Sequence, residues 1–228
     1  MDGGESKKDG GGGEPIDVWL TKHRRNFIAA TRHPFIISIR DGSVDIASFK
    51  RWLEQDYLFV RRFVAFAASV LIKACQNSEI DLDMEVLLQG VSALNDEIAW
   101  FKREADKWGV SLYAVSPQPA NLDYCRFLEG LMNQEVEYTV AISAFWAIET
   151  VYQESFAHCL EADSKTPSEL KETCQRWGNA DFGQYCHTLR KMANQQLHKA
   201  SDDTLKKAEE TFVQVLDYEI NFWNMSLE

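Results

Sequence analysis

The chain has 228 residues, of which 45% are hydrophobic and 12% aromatic, and its formal net charge at pH 7 is −11. These values are typical of one globular domain with a large core and exclude a mainly disordered chain. The acidic balance, without a basic stripe, argues against nucleic acid and anionic membrane surfaces as partners.

The N-terminal segment, residues 1–13, is rich in glycine and lacks the apolar core of a signal peptide, so we predict a flexible tail before a domain at 14–228. No apolar run approaches the ~18 residues of a membrane span. Five cysteines without a CxxC pair indicate reduced thiols rather than a disulfide framework. We therefore expect a cytoplasmic protein.

Apolar residues recur at spacings of three and four along most of the remaining chain, which predicts helices. No sustained alternation of apolar and polar residues indicates a strand. The fold class expected is all-α, a single-domain bundle of seven or eight helices. The predicted long helices cover 45–77, 82–108, 121–161, 179–199 and 203–226.

Three shorter motifs indicate where elements begin and end. HPFIISIRDG at 33–42 has a proline near its start and Asp-Gly at its end, which indicates a short turn-like segment. TPSE at 166–169 has the sequence of a capping box, and SDD at 201–203 places a hydroxyl and two carboxylates at a helix start. Both predict helix N-termini.

Three carboxylates occupy positions that the helical period assigns to apolar faces. Asp56, Glu149 and Glu219 each lie among aromatic and aliphatic neighbours three and four residues away. A buried carboxylate needs a partner, a raised pKa or a catalytic function. Any one could be structural, and Glu97 shows the same pattern. Together they predict a polar centre inside an aromatic bundle, suited to a flat heteroaromatic ligand.

Other site chemistries find no support in the sequence. A di-iron bundle would need Glu-x-x-His on two helices, and the chain has none. The five histidines are scattered, and neither a nucleophile elbow nor a glycine-rich phosphate loop occurs. We expect neither a metal nor a cofactor.

Five segments resemble the TenA/thiaminase II family, and the likeness covers nearly everything after Trp19. The resemblance implies a haem oxygenase-like helical fold, assembly as a homodimer or homotetramer, and action on pyrimidines derived from thiamin. The segments are HPFIISIRDGSVDIASFKRWLEQDYLFVRRF (33–63), LNDEIAWFKREADKWG (94–109), ANLDYCRFLEGL (120–131), AFWAIETVYQES (144–155) and DYEINFWNMS (217–226).

The resemblance also assigns roles by position. Asp56 matches the aspartate that holds the amino group and ring nitrogen of the pyrimidine, and Glu219 matches the glutamate of proton transfer. Tyr124 falls at a pocket tyrosine, and Phe59 lies where many relatives have a tyrosine beside the ring. The remaining candidates for substrate binding are Phe145, Tyr152 and Trp223.

One departure from the family pattern concerns the nucleophile. Thiaminase-type members carry a cysteine where this chain has Ala144. The resemblance is therefore to the plant-type TenA_E branch, which is distinguished by a glutamate. We identify that glutamate as Glu149, with Glu135 and Glu137 as alternatives. Cys125 beside the pocket tyrosine is a further, weaker candidate for the nucleophile.

The branch implies two hydrolytic steps. Formylaminopyrimidine (N-formyl-4-amino-5-aminomethyl-2-methylpyrimidine) loses formate to give aminopyrimidine, which loses ammonia to give hydroxymethylpyrimidine for thiamin salvage. Carboxylates can activate water without a thiolate, so Glu149 and Glu219 could divide acid and base roles in either order. Two alternatives remain, a non-catalytic pyrimidine carrier and a haem or quinone-cofactor protein on the same fold.

Overall fold

The computed structural model describes residues 13–77 and 81–228, apart from the side chains of 81 and 82. Throughout these residues the chain forms helices and no strand, which confirms the predicted all-α, single-domain class. Residues 1–12 of the predicted tail lie outside the described residues. The helices are α1 Pro15–Lys22, α2 Arg24–Thr31, α3 Pro34–Asp41, α4 Ile46–Gln76, α5 Asp81–Trp108, α6 Pro119–Leu131, α7 Tyr138–His158, a 3-10 turn Ser168–Leu170, α8 Lys171–Gly178, α9 Ala180–Leu197 and α10 Asp202–Asn224.

Helix α7 is the centre of the bundle. It packs against α2, α4, α8, α9 and α10, while α4 also packs against α5 and α6. Most of its residues are apolar and buried around the whole helix, as expected for a helix without a solvent face. Glu149, near the middle of this helix, is therefore surrounded by packed helices, whereas the side chain of Glu154 near its end is 44% exposed.

Side-chain caps fix the starts of three helices that carry or flank the candidate residues. Asp45 accepts from the amide of Ala47 at the start of α4, and Asn179 caps α9 through the amide of Phe182. Ser201 accepts from the amide of Thr204 at 3.2 Å, which confirms the helix start predicted at 201–203. Each cap satisfies a backbone donor that the first turn leaves unpaired.

The segment 33–42 is a helix, so the prediction of a turn-like segment was wrong. His33 Nδ1 accepts from the amide of Phe35 at 3.2 Å, and Pro34 occupies the first helical position. Gly42 ends the helix with φ 74°. The residues that indicated a turn are the two caps of a short helix.

The predicted helix at 121–161 is two helices, α6 and α7, separated by the turn at 132–137. Lys73 of α4 stabilises that turn, since its Nζ donates to the carbonyls of Asn133 at 2.7 Å and Val136 at 2.8 Å. Because the donor is sixty residues away in sequence, local periodicity does not reveal the break. The described residues form ten α-helices rather than the seven or eight predicted.

The capping box predicted at 166–169 does not form. The Thr166 hydroxyl donates to the carbonyl of Cys159 at 2.7 Å and does not cap a helix. The chain instead makes the 3-10 turn Ser168–Leu170, and α8 begins at Lys171. Because the Thr166 hydroxyl is bonded to the carbonyl of Cys159 after α7, the 3-10 turn begins without a side-chain acceptor.

No described helix combines the length and the apolar content that crossing a bilayer requires.

Helix α8 ends in close contact with the backbone of α7. A Cβ added to Gly178 would lie 2.6 Å from the carbonyl carbon of Phe156 and 2.7 Å from the amide nitrogen of Ala157. We expect Gly178→Ala to lower the free energy of unfolding by about 1–3 kcal/mol, because the two helices must separate. The matched control is Gly130→Ala in α6, where a Cβ would meet nothing within 4 Å. It should stabilise the protein by about 0.5–1 kcal/mol in urea titrations. Equal midpoints of urea unfolding for the two variants would contradict close packing of α8 against α7.

Candidate active site

Four helices each direct one carboxylate toward a common centre. We call Asp56 of α4, Glu97 of α5, Glu149 of α7 and Glu219 of α10 the acid cluster. Asp56 and Glu219 are almost fully buried, at 3% and 0% exposure, whereas Glu97 and Glu149 are half-buried. Asp56 and Glu219 therefore form the closed floor of the cluster, and Glu97 and Glu149 form its edge, nearer to solvent.

The carboxylates of the acid cluster influence one another. Burial raises the pKa of Asp56 well above its ordinary value, Tyr152 lowers it, and the charges of Glu97 and Glu219 raise it again. Burial followed by the charges of Glu97 and Glu219 raises the pKa of Glu149 well above its ordinary value. Like charges in one low-dielectric site resist simultaneous ionisation. The arrangement therefore favours the protonated form of some of the four.

Two buried tyrosines orient the carboxylates of the floor. The Tyr152 hydroxyl donates to Asp56 Oδ1 at 2.8 Å, and the Tyr124 hydroxyl donates to Glu219 Oε1 at 2.6 Å. Glu219 Oε2 is buried and has no hydrogen-bond partner among the described residues. Because buried polar atoms are normally satisfied, this oxygen is available to a ligand or a water molecule.

The surroundings of Glu219 bring its pKa close to neutral pH. Burial raises its pKa to about 8, although the hydrogen bond from Tyr124 opposes the rise. A carboxyl group with a pKa near the working pH can both accept and donate a proton during turnover. The uncovered Oε2 is the atom that could do so.

Aromatic rings enclose the two tyrosines. The ring of Tyr152 lies 5.1 Å from Trp223 and 5.8 Å from Trp177, while Tyr124 lies 4.7 Å from Phe59. Such walls exclude water and strengthen every charge interaction inside them. Six of the predicted site residues are thus brought together: Asp56, Phe59, Tyr124, Tyr152, Glu219 and Trp223.

Phe145 is one ring removed from these walls. It stacks on Phe63 at 5.4 Å with an interplanar angle of 3°, and Phe63 in turn stacks on Phe59. It also contacts Phe66 in the core. The position supports the wall around Tyr124 indirectly, through a row of three phenyl rings.

Sequence reasoning missed an ion pair at the edge of the acid cluster. Oε2 of Glu97 lies 3.9 Å from Nη2 of Arg176, and the Arg176 guanidinium lies over the rings of Trp100 and Trp177. Glu97 shows the same apolar neighbours as the other three acids in the sequence, but that pattern alone did not place it in the cluster. Arg176 and Trp177 gave no signal, since their short helix is mostly polar and distant in sequence.

The alternative acids and the alternative nucleophile are not members of the acid cluster. Glu135 and Glu137 are exposed beside the start of α7, where Glu137 accepts from the Thr204 hydroxyl at 2.8 Å. Cys125 Sγ donates to Asn121 Oδ1 at 3.3 Å, and burial raises the pKa of this thiol to about 11. The two acids are thus exposed rather than buried with the acid cluster, and a thiol with a raised pKa is a weak nucleophile.

Within residues 13–77 and 81–228, no group of three or more His, Cys, Asp or Glu side chains has an arrangement that could hold a metal ion. Ala144, the position of the family cysteine in the resemblance, is fully buried on α7.

Comparisons with known proteins identify the family and the fold. The sequence pattern of the TENA/THI-4/PQQC family matches residues 21–228. A Glycine max protein described as a "probable bifunctional TENA-E protein" is 64% identical over 92% of both chains. An aminopyrimidine aminohydrolase of Helicobacter pylori is 22% identical over 86% of this chain and 90% of its own. The structure of a TenA homologue from Pyrococcus furiosus superposes with a TM-score of 0.85 at 21% identity, covering 93% of this chain and 99% of its own.

Proposed function

Because the chain belongs to the TENA/THI-4/PQQC family, we propose that it hydrolyses pyrimidines formed by thiamin breakdown. It converts formylaminopyrimidine to aminopyrimidine with release of formate, and aminopyrimidine to hydroxymethylpyrimidine with release of ammonia. The observation that carries the proposal is the buried, unpartnered Oε2 of Glu219 within the aromatic walls. Support comes from the bifunctional description of the soybean relative and the aminohydrolase of Helicobacter pylori.

Asp56 would recognise the aminopyrimidine edge. Burial raises its pKa well above the ordinary value, which favours a neutral carboxyl group in the free protein. A neutral carboxyl group can accept from the exocyclic amino group and donate to the adjacent ring nitrogen. If the proton passes to the ring nitrogen, the carboxylate and the protonated ring form a charge-assisted hydrogen bond, which stabilises the bound pyrimidine. Tyr152 keeps the carboxyl plane in position.

The two hydrolytic steps need one base and one acid. In the first step water adds to the formyl carbon, the carbon–nitrogen bond breaks, and the amine nitrogen takes a proton while formate leaves. In the second step the water oxygen bonds to the methylene carbon, the carbon–nitrogen bond breaks, and ammonia leaves. Glu219 deprotonates water through Oε2, and Glu149, with its strongly raised pKa, protonates the departing nitrogen. This route needs no thiolate, and Ala144 supplies none.

We expect the purified protein to release one formate and then one ammonia from each formylaminopyrimidine, and ammonia alone from aminopyrimidine. Product release is followed by coupled assays beside a chromatographic assay for hydroxymethylpyrimidine. Glu149→Gln should slow the release of ammonia by about 10²-fold or more, as loss of a general acid does. Glu85→Gln, an exposed glutamate of α5, is the matched control and should behave as wild type. Tight pyrimidine binding without product would instead identify a carrier.

A further inference from the structure

The ion pair at the edge of the acid cluster is built from unusually restrained groups. The Arg176 guanidinium lies 5.3 Å from the centroid of Trp100 and 5.7 Å from that of Trp177. Contact with two indoles restrains the guanidinium in advance, so this ion pair loses less side-chain entropy on forming than a surface ion pair does. Glu97 is only 20% exposed at its side chain, so the pair also works in a partly dehydrated setting.

We propose that Glu97 is a positioning residue for Glu149. Arg176, 3.9 Å from Glu97, favours the ionised form of Glu97, and the resulting negative charge favours the protonated form of Glu149. Glu149 is thereby held in the acid form that the hydrolysis requires, a role that rests on the proposed function.

The two carboxylates have opposite surroundings. The causes that shift the pKa of Glu149 all raise it: burial, Glu97 and Glu219. Burial raises the pKa of Glu97 only to about 7, because the Arg176 charge and the Trp177 indole lower it. When two interacting acids lose protons in steps, the first leaves the site with the better-stabilised anion. That site is Glu97.

The other groups around Glu149 do not reverse this order. Glu219 of α10 is acidic and raises the pKa of Glu149 further when ionised. From α9, Tyr185 and Cys186 face Glu149, and burial raises the pKa of both, so both are neutral at physiological pH. Arg176 of α8 acts on Glu97. Glu97 is therefore the group at the edge that decides where the proton lies.

The first test is the pH dependence of kcat for ammonia release. Glu97→Gln removes the negative charge, so Glu149 should lose its proton at lower pH. The alkaline limb should then move down by about one pH unit or more, a tenfold change in acid fraction. Arg176→Gln should move it in the same direction, because Glu97 no longer ionises first. Arg176→Lys should restore it, and Glu85→Gln should leave it unchanged. An unmoved or upward-shifted limb in Glu97→Gln would overturn the proposal.

A second readout needs no turnover. The infrared band of the protonated Glu149 carboxyl group, assigned by its loss in Glu149→Gln, should disappear at lower pH in Glu97→Gln than in wild type. This band titrates even if the protein proves to be a carrier, so failure of the proposed function and failure of this inference are distinguishable. In the Glu97→Gln background, adding Arg176→Gln should give no further downward shift. A further downward shift would show that Arg176 does not act through Glu97.

Discussion

Glu219→Gln should lower kcat/KM for aminopyrimidine hydrolysis by about 10²–10⁴-fold, the usual contribution of a positioned general base or acid. Glutamine is nearly the same shape, and its Oε1 can still accept from Tyr124, so the aromatic walls keep their arrangement. What disappears is the uncovered carboxylate oxygen, which an amide nitrogen cannot replace as a proton acceptor. The measurement is steady-state ammonia release together with the affinity for hydroxymethylpyrimidine, which should change much less than kcat.

Stability separates this catalytic role from a structural one. Burial raises the pKa of Glu219 to about 8, so between about pH 4.5 and 8 the native state binds more protons than the unfolded chain. Its contribution to stability is therefore present at acid pH and is lost as the pH rises through that window. Glu219→Gln should melt at a higher temperature than wild type at pH 8, with a smaller difference at pH 5. Loss of activity together with a lower melting temperature at pH 8 would indicate a structural role.

The helical period was sufficient to find the acids that form the floor. Asp56 and Glu219 lie on amphipathic helices with one apolar face, so their neighbours at three and four residues define the direction in which they point. The long helices of the bundle were predictable for the same reason. The break at 132–137 was not, because a lysine on another helix stabilises it.

Periodicity gave less information on α7, since that helix is apolar around its whole circumference. Phe145 and Tyr152 lie four residues before and three residues after Glu149, yet Tyr152 donates to Asp56 and Phe145 stacks in the core on Phe63. A single sequence also could not show that Glu97 joins the acid cluster. That depends on how α5 lies across the bundle and on Arg176, seventy-nine positions further along the chain.

Asp56→Ala should weaken the binding of hydroxymethylpyrimidine by about 10²-fold. Removing a charge-assisted hydrogen bond is worth about 1.5–3 kcal/mol, and tenfold in affinity corresponds to about 1.4 kcal/mol. The variant leaves both the pyrimidine edge and the Tyr152 hydroxyl without their partner. Quenching of tryptophan fluorescence gives the dissociation constant, since Trp223 and Trp177 lie beside Tyr152.

Two further variants show which property of Asp56 binds the pyrimidine. Asp56→Asn keeps an acceptor and a hydrogen-bond donor of the same shape but has no acidic proton to transfer to the ring nitrogen, so its affinity should fall less than that of Asp56→Ala. Tyr152→Phe removes the phenol that orients the carboxyl group while leaving the carboxyl group itself, and it should give the smallest loss. If Asp56→Asn bound as tightly as wild type, a neutral hydrogen-bond pair would suffice for recognition. If Asp56→Ala bound hydroxymethylpyrimidine as tightly as wild type, Asp56 would not contact the pyrimidine, because alanine has no polar group to hold the amino group.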